Sequence, residues 1–177
     1  MTELKRKTHI KRMAIQTLEI EAASIEHLKS FINDGFTEAV SIILKSKGRV
    51  VVTGVGKSAI IGQKIVATLN STGTPSIFMH AADAIHGDLG IIQKEDIVMI
   101  ISKSGNSPEI KMLIPLVRNM GNKLIGMAGD MNSSLATMSD WVINTSVSQE
   151  ACPNNLAPTT STTAQMVMGD ALAICLM

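Results

Sequence analysis

The sequence predicts an α/β fold: a doubly wound, roughly five-stranded parallel sheet with helices on both faces, preceded by a long N-terminal helix. Short apolar runs alternate with amphipathic stretches from residue 49 onwards. The run at 97–101 is unbroken Ile-Val-Met-Ile-Ile, which is typical of a parallel strand buried on both faces. With 177 residues, 45% of them hydrophobic, the chain can bury one substantial core. We expect one domain over residues 1–177, with an N-terminal helix at 1–33 and an α/β core at 34–177.

The N-terminal helix is predicted over residues 2–32 because apolar residues recur there every three or four positions. That stripe comprises Ala14, Leu18, Ala22, Ile25, Leu28 and Ile32. Ile15 and Ile20 lie off the stripe, which indicates that a second face of the helix is also covered. A shorter helix is predicted at 37–45, with Leu44 among its inward-facing residues.

Strands and helices then alternate along the rest of the chain. The predicted strands cover residues 49–53, 76–79, 97–102, 123–128 and 141–145. The predicted helices between and after them cover residues 58–70, 109–120, 133–138 and 159–177. Crossover helices make successive strands parallel, and ligands of such sheets bind at the carboxyl ends of the strands. The turns that follow the strands therefore hold the candidate functional residues.

Composition argues against several classes of protein. The net charge is +1, and basic and acidic residues are interspersed, which argues against a nucleic-acid or membrane surface. The two cysteines, Cys152 and Cys175, make neither a disulfide framework nor a metal site. No charged-then-apolar leader opens the chain, and no apolar run approaches ~18 residues. We expect a soluble, cytoplasmic protein.

The turn Gly54-Val55-Gly56-Lys57-Ser58 follows the first strand. It is like a phosphate loop ending in Gly-Lys-Ser, but Val51 stands where that loop needs a glycine, which argues against a nucleotide-hydrolysing P-loop. A tight strand-to-helix turn explains the glycines equally well. Lys57 is a candidate cation for an anionic substrate, and Gly56 and Ser58 are candidates for contacting it.

A hydroxyl-rich turn with Ser102, Ser104 and Ser107 follows the strand at 97–102. Ser107 is predicted to cap the next helix, with a proline at its first position. Capping needs one serine rather than three, so we favour phosphate binding by all three at this helix N-terminus. Glu109 is either an acid that complements the helix dipole or a group present for chemistry.

Two further turns carry candidate residues. Five consecutive hydroxyl residues, Thr159 to Thr163, follow a proline and are good anion ligands at a helix start; a capped helix with a solvated first turn is the alternative. Cys152, just before them, is interpreted as a packing residue because no basic residue adjoins it. His86, beside a glycine and an aspartate, is either an acid–base group or a structural histidine.

Together these motifs resemble the sugar isomerase (SIS) domain family. Within it they are most similar to the arabinose-5-phosphate isomerases of 3-deoxy-manno-octulosonate (Kdo) biosynthesis. The matching segments are Gly54-x-Gly-Lys-Ser58, Ser71-Thr-Gly-Thr-Pro75, His86-Gly-Asp-Leu-Gly90, Ser102-x-Ser-Gly-x-Ser107 with Glu109, Glu150-Ala-Cys-Pro153, Leu156-Ala-Pro-Thr159 through Ala164, and Gly169-Asp-Ala-Leu-Ala173.

The resemblance implies a reaction and a role for each residue. D-ribulose 5-phosphate and D-arabinose 5-phosphate would interconvert through a cis-enediol, feeding Kdo, lipopolysaccharide or capsule synthesis. Glu109 or Glu150 would carry the proton between C1 and C2, and Lys57 would stabilise the enediolate oxygen. The phosphate would be held by Ser102, Ser104, Ser107, Thr159, Thr160, Ser161 and Thr162. No metal or organic cofactor is implied.

The resemblance also implies features that this chain does not contain. Many members continue into paired CBS domains, and the family carries a further histidine in a Ser-His-Pro-Gly-Gly type motif after the last helix. The chain stops before that motif, at Met177, so we expect a longer native polypeptide and assign ring opening to His86 or leave it unassisted. The family's active site lies at a subunit interface, and we expect a homotetramer, a dimer of dimers.

Two other functions are kept open. One is a non-catalytic sugar-phosphate-binding regulatory module, which needs the hydroxyl turns but not Glu109, Glu150 and Lys57 together. The other is an isomerase for another phosphosugar. The presence of all three residues favours an enzyme, and the His-Gly-Asp-Leu-Gly and Glu-Ala-Cys-Pro segments favour arabinose 5-phosphate.

Overall fold

The computed structural model describes residues 3–177. The helices are α1 (Glu3–Leu28), α2 (Asp34–Lys45), α3 (Lys57–Ser71), α4 (Ala81–Ala84), α5 (Pro108–Asn119), α6 (Ser134–Met138) and α7 (Thr160–Cys175). The strands are β1 (Val50–Gly54), β2 (Ser76–His80), β3 (Ile97–Ser102), β4 (Lys123–Ala128) and β5 (Trp141–Asn144). Short 3₁₀ turns lie at Lys29–Phe31 and Asp88–Ile91.

The five strands form one parallel sheet in the order β2-β1-β3-β4-β5. The predicted fold class is confirmed, including the long N-terminal helix. The strand order reverses between β1 and β3, where Gly54 pairs with Ile101 at the carboxyl end of the sheet. Ligands of doubly wound sheets bind at such a reversal, because the flanking loops diverge to opposite faces and leave a crevice. The Gly54–Ser58 turn and the serine turn both begin there.

Two apolar clusters cover the two faces of the sheet. Alternate strand residues such as Val52, Met99 and Met127 pack under α2, α3, α7 and the end of α1. The intervening residues, such as Val98 and Ile100, pack under α4, α5 and α6. This alternation is the period of two that strand geometry imposes. Because these helices are packed on the sheet, their N-termini at its carboxyl edge are held in place.

Some local predictions differ from the structure. Leu44, expected to face inward, is exposed, because α2 turns Phe36, Ala39 and Ile43 towards the sheet instead. On α1, Leu28 is buried but Leu18 is 69% exposed within this single chain. The predicted start of that helix at Thr2 lies outside the described residues. Between Glu3 and Met177, the structure contains no helix with the length and apolarity needed to cross a membrane.

Candidate functional site

Among the helices that begin at the carboxyl edge of the sheet, three follow turns with candidate residues, and each brings backbone N–H groups to that edge. Helix α3 follows β1 after the cap Gly56, α5 follows β3 after the cap Ser107, and α7 follows the loop after β5. The first turn of a helix leaves N–H groups without intrahelical partners and carries partial positive charge. An anion is therefore favoured at this edge.

The serine turn is folded tightly around its own hydroxyls. The amide of Gly105 donates to Ser102 Oγ at 3.0 Å, and the amide of Asn106 donates to Ser104 Oγ at 3.4 Å. Gly105 has φ of 60°, and a Cβ there would overlap the Ser133 side chain, so glycine is required for two reasons. The turn is therefore closed by hydrogen bonds between its own residues.

Ser107 is the residue of this turn that points to a ligand. It is the N-cap of α5, yet its side chain makes no capping bond. Its Oγ is buried and has no hydrogen-bond partner among residues 3–177. Leaving a buried hydroxyl unpaired costs about 1–3 kcal/mol, so an unpaired group in a native structure calls for an explanation. A bound anion at the start of α5 would supply that partner.

Glu150 is fully buried at the start of α7 and is surrounded by donors. Ser161 Oγ donates to its Oε1 at 2.5 Å, and Lys103 Nζ lies 2.7 Å from the same oxygen. Its Oε2 accepts from the amides of Thr159 at 2.8 Å and Ser161 at 3.1 Å, and from the Thr159 hydroxyl at 3.3 Å. The carboxylate occupies the position that an anion takes at a helix N-terminus.

The charge of Glu150 is fixed by these contacts. Burial raises the pKa of its carboxyl, but the hydrogen bond from Lys103 and those from Ser161 and Thr159 outweigh burial and lower that pKa to about 2. Glu150 is therefore ionised across the physiological range. A general base works best with a pKa near the operating pH, so in this arrangement Glu150 is a weak base.

The hydroxyls at 159–162 are already engaged inside the protein. Thr160 Oγ1 accepts from the amide of Ala151 at 3.0 Å, and Thr162 Oγ1 donates to the Thr159 carbonyl at 2.8 Å. An anion lies at the start of α7, and it is the protein's own Glu150. Phosphate binding by Thr159, Thr160, Ser161 and Thr162 stays a prediction, which has to be compatible with these internal hydrogen bonds.

The turn after β1 is linked to α7. Gly56 has φ of 60°, Lys57 follows as an exposed first helical residue, and Ser58 Oγ donates to Gln165 Oε1 at 3.1 Å. Helices α3 and α7 pack closely because Gly169 lies against Ile65. Lys57 therefore lies at the N-terminus of α3, which is hydrogen-bonded to α7, and Glu150 caps α7.

Glu109 and His86 lie in different settings. Glu109 is the second residue of α5, half-buried, and no hydrogen bond or ion pair engages its carboxylate among residues 3–177. His86 is exposed in the segment after α4, and the strand register places His80, not His86, opposite Gly54. Between residues 3 and 177, no three His, Cys, Asp or Glu side chains are arranged to hold a metal ion.

Lys103 was not predicted as a site residue. It stands between two of the predicted serines, but its partner Glu150 lies 47 positions later in the chain, beyond β4, α6 and β5. The only sequence signal was a cation inside a hydroxyl-rich turn.

Comparison with known proteins identifies the family. Residues 42–175 match the model of the SIS domain, which is three quarters of the chain. The chain belongs to the SIS domain family. It spans about half the length of the curated relatives it matches: it is 50% identical over 164 residues to arabinose 5-phosphate isomerase KdsD of Pseudomonas aeruginosa, covering 93% of this chain and 50% of that protein.

Two solved structures match this chain over nearly their full length. An Escherichia coli CFT073 protein in complex with arabinose 5-phosphate is 38% identical, with a TM-score of 0.90, covering 99% of this chain and 92% of that one. A putative sugar-phosphate isomerase of Listeria monocytogenes is 37% identical, with a TM-score of 0.92, covering 97% and 90%. This chain is therefore similar both to about half of longer curated proteins and to nearly the whole of shorter solved chains.

Proposed function

We propose that this SIS domain is an aldose–ketose isomerase that interconverts D-arabinose 5-phosphate and D-ribulose 5-phosphate through a cis-enediol. The observation that carries the proposal is the buried hydroxyl of Ser107 at the start of α5, with the carboxylate of Glu109 two residues further on; neither has a hydrogen-bond partner within residues 3–177. The names of the relatives support the choice of pentose. An anchor and a proton carrier then lie within one turn of one helix.

The phosphate binds at the serine turn in this proposal. Ser107 Oγ donates to it, Ser102 and Ser104 retain hydroxyl protons for it after accepting amide bonds, and the first N–H groups of α5 complete the seat. A phosphate held there fixes the sugar against the rest of the edge. Such positioning raises the rate by several powers of ten, because the entropy cost of bringing the reacting atoms together is paid on binding.

Glu109 is the base that we propose. It removes the proton from C2 of the open-chain aldose, and the electrons move onto the C1 carbonyl oxygen to give the enediolate. The C2 hydroxyl proton passes to the C1 oxygen, and Glu109 returns its proton to C1 as the C2 oxygen becomes the ketone and the C1 oxygen a hydroxyl. We favour Glu109 over Glu150 because Glu150 is fully buried and held by Lys103, Ser161 and the start of α7.

Lys57 and His86 complete the proposed machinery. Lys57, at the first position of α3, stabilises the negative charge that develops on the enediolate oxygen, and Gly56 and Ser58 shape the turn that presents it. His86 assists ring opening by moving a proton between the ring oxygen and the C1 hydroxyl. No metal or organic cofactor enters this scheme.

The surroundings of the enzyme follow from the same proposal. We place the reaction in the cytoplasm, feeding Kdo, lipopolysaccharide or capsule synthesis, with residues 1–177 as one SIS domain. We also propose a homo-oligomer, a dimer of dimers, because Ile15 and Leu18 expose large apolar side chains on α1. No nucleic acid or membrane partner is proposed.

The test is turnover of arabinose 5-phosphate in D₂O by the purified chain, followed by proton NMR. The proposal predicts ribulose 5-phosphate and deuterium at C2 of the recovered aldose. Binding of the sugar phosphate without exchange or product contradicts it and leaves a binding module.

A further inference from the structure

Lys103 joins two parts of the site that are far apart in sequence. Its backbone lies in the serine turn, directly after Ser102, at the carboxyl end of β3. Its ammonium lies 2.7 Å from Glu150 Oε1, at the start of α7. One side chain therefore connects the proposed phosphate seat with the loop that precedes the last helix.

The two charged side chains of this contact differ in their exposure to solvent. The Glu150 side chain is 0% exposed, whereas that of Lys103 is 43% exposed. Among residues 3–177, Lys103 is the cation that pairs with Glu150. The other groups that contact the Glu150 carboxylate are neutral amides and hydroxyls from the start of α7. The Cys152 thiol lies on Glu150's own loop, where the amides of residues 157, 156 and 154 lower its pKa.

Removing one partner of such a pair has a larger effect than removing both. A buried carboxylate without its cation either leaves its position or takes up a proton, whereas a neutral glutamine in its place has no charge to compensate. The loop at 151–159 contains no regular helix or strand, and Glu150 attaches it to the start of α7. Lys103 attaches that same carboxylate to the serine turn.

We infer that Lys103 is a positioning residue: it holds Glu150 and the start of α7 at a fixed spacing from the phosphate seat, and it affects catalysis through Glu150. Its meaning for the reaction rests on the proposed function. The contact between Lys103 and Glu150 therefore sets the distance between a phosphosugar anchored in the serine turn and the start of α7. A displacement of about 1 Å between them is enough to lower turnover about a hundredfold.

A double-mutant cycle tests the catalytic part. We expect Lys103→Met to lower kcat for arabinose 5-phosphate by about tenfold or more while KM changes by less than about threefold. Lys103→Arg, which keeps the cation, should restore most of the loss. In a Glu150→Gln background, Lys103→Met should change kcat by less than about twofold. Lys94→Met, which removes an exposed lysine beyond the opposite edge of the sheet, is the charge-matched control.

Two kinetic outcomes overturn the inference. An equal loss in the Glu150→Gln background would show that Lys103 does not act through Glu150. A rise in KM with kcat unchanged would show that Lys103 binds the phosphate itself. Circular dichroism of each variant at the assay temperature establishes that a loss of kcat does not come from unfolding.

A second measurement does not depend on turnover. The carboxyl ¹³C resonance of Glu150, titrated in wild type and in Lys103→Met, reports its pKa directly. We expect a higher pKa in the variant, and an acid limb of kcat that moves up with it. An unchanged pKa overturns the inference even if the wild type isomerises the sugar, and a raised pKa supports the contact even if the wild type proves inactive.

Discussion

The amide of Thr159 donates to Glu150 Oε2 at 2.8 Å, so α7 begins on a carboxylate supplied by its own chain. The start of α5 is different, because the Ser107 hydroxyl has no hydrogen-bond partner in the part of the chain that the structure describes. These two helix N-termini divide the site into a part whose charge is satisfied internally and a part that is open to a ligand. The proposed phosphate seat follows from that difference.

Substitution of Ser107 tests the phosphate seat. We expect Ser107→Ala to raise KM for arabinose 5-phosphate about tenfold, since it removes one donor to a charged group. Thermal stability should hardly change, because the hydroxyl has no partner within residues 3–177. Ser133→Ala is the matched control: its hydroxyl accepts from Ala136 as the cap of α6, so stability should fall by about 1 kcal/mol. A large loss of stability in Ser107→Ala would contradict the assignment.

The depressed pKa of Glu150 predicts how stability depends on pH. Its folded-state pKa of about 2 lies below the ordinary value of 4.5, so the stabilisation is present above pH 4.5 and is lost as the pH falls through 2. Glu150→Gln should therefore lower the free energy of unfolding by about 2–3 kcal/mol at pH 7. Denaturant unfolding of both proteins measures the difference, which should shrink below pH 4.5. A difference that does not vary with pH would contradict the assigned charge.

The contact between α3 and α7 predicts a steric effect at Gly169. A Cβ at this position overlaps the Ile65 side chain, so Gly169→Ala should destabilise the fold by about 1–3 kcal/mol. Ile65→Val in the same chain should recover part of that loss. Gly90→Ala is the control, since nothing lies within 4 Å of a Cβ there. Equal melting temperatures for Gly169→Ala and Gly90→Ala would show that the helices do not approach this closely.

The exposed apolar face of α1 predicts an interface between copies of the chain. Leu18 is 69% exposed, and placing a charge there should shift the protein to smaller species in sedimentation velocity. Gln16→Glu, which adds the same charge at another exposed position of α1, should leave the distribution unchanged. An identical distribution for Leu18→Glu and wild type would place the interface elsewhere or exclude it.

The sequence predicts the parallel sheet closely, because strands that are buried on both faces consist of uninterrupted apolar runs. The predicted bounds of β3 and β4 coincide with the observed ones, those of β2 and β5 differ by one residue at one end, and β1 is shifted by one residue at both ends. Helix α4 was not predicted, since four residues are too few to show a helical period. Leu44 was assigned the wrong side, because α2 begins at Asp34 and its buried face comes from Phe36, Ala39 and Ile43.

The sequence predicts where the candidate turns lie in the fold, but not which of their side chains contact one another. Strand order and turn composition place the candidate turns at the carboxyl edge of the sheet. The contact between Lys103 and Glu150 depends on how the chain folds back over 47 positions, and residue types do not reveal it. The hydroxyls at 159–162 are predicted as phosphate ligands, and the sequence does not reveal that two of them, those of Thr159 and Ser161, donate to Glu150.

Deuterium exchange by Glu109→Gln, compared with wild type and Glu150→Gln, tests the central claim most directly. With arabinose 5-phosphate in D₂O, wild type should place deuterium at C2, and Glu109→Gln should lose exchange by about a thousandfold or more while still binding the sugar phosphate. Glu150→Gln should retain measurable exchange. Full exchange by Glu109→Gln, with none by Glu150→Gln, would contradict the account and assign the base to the buried carboxylate.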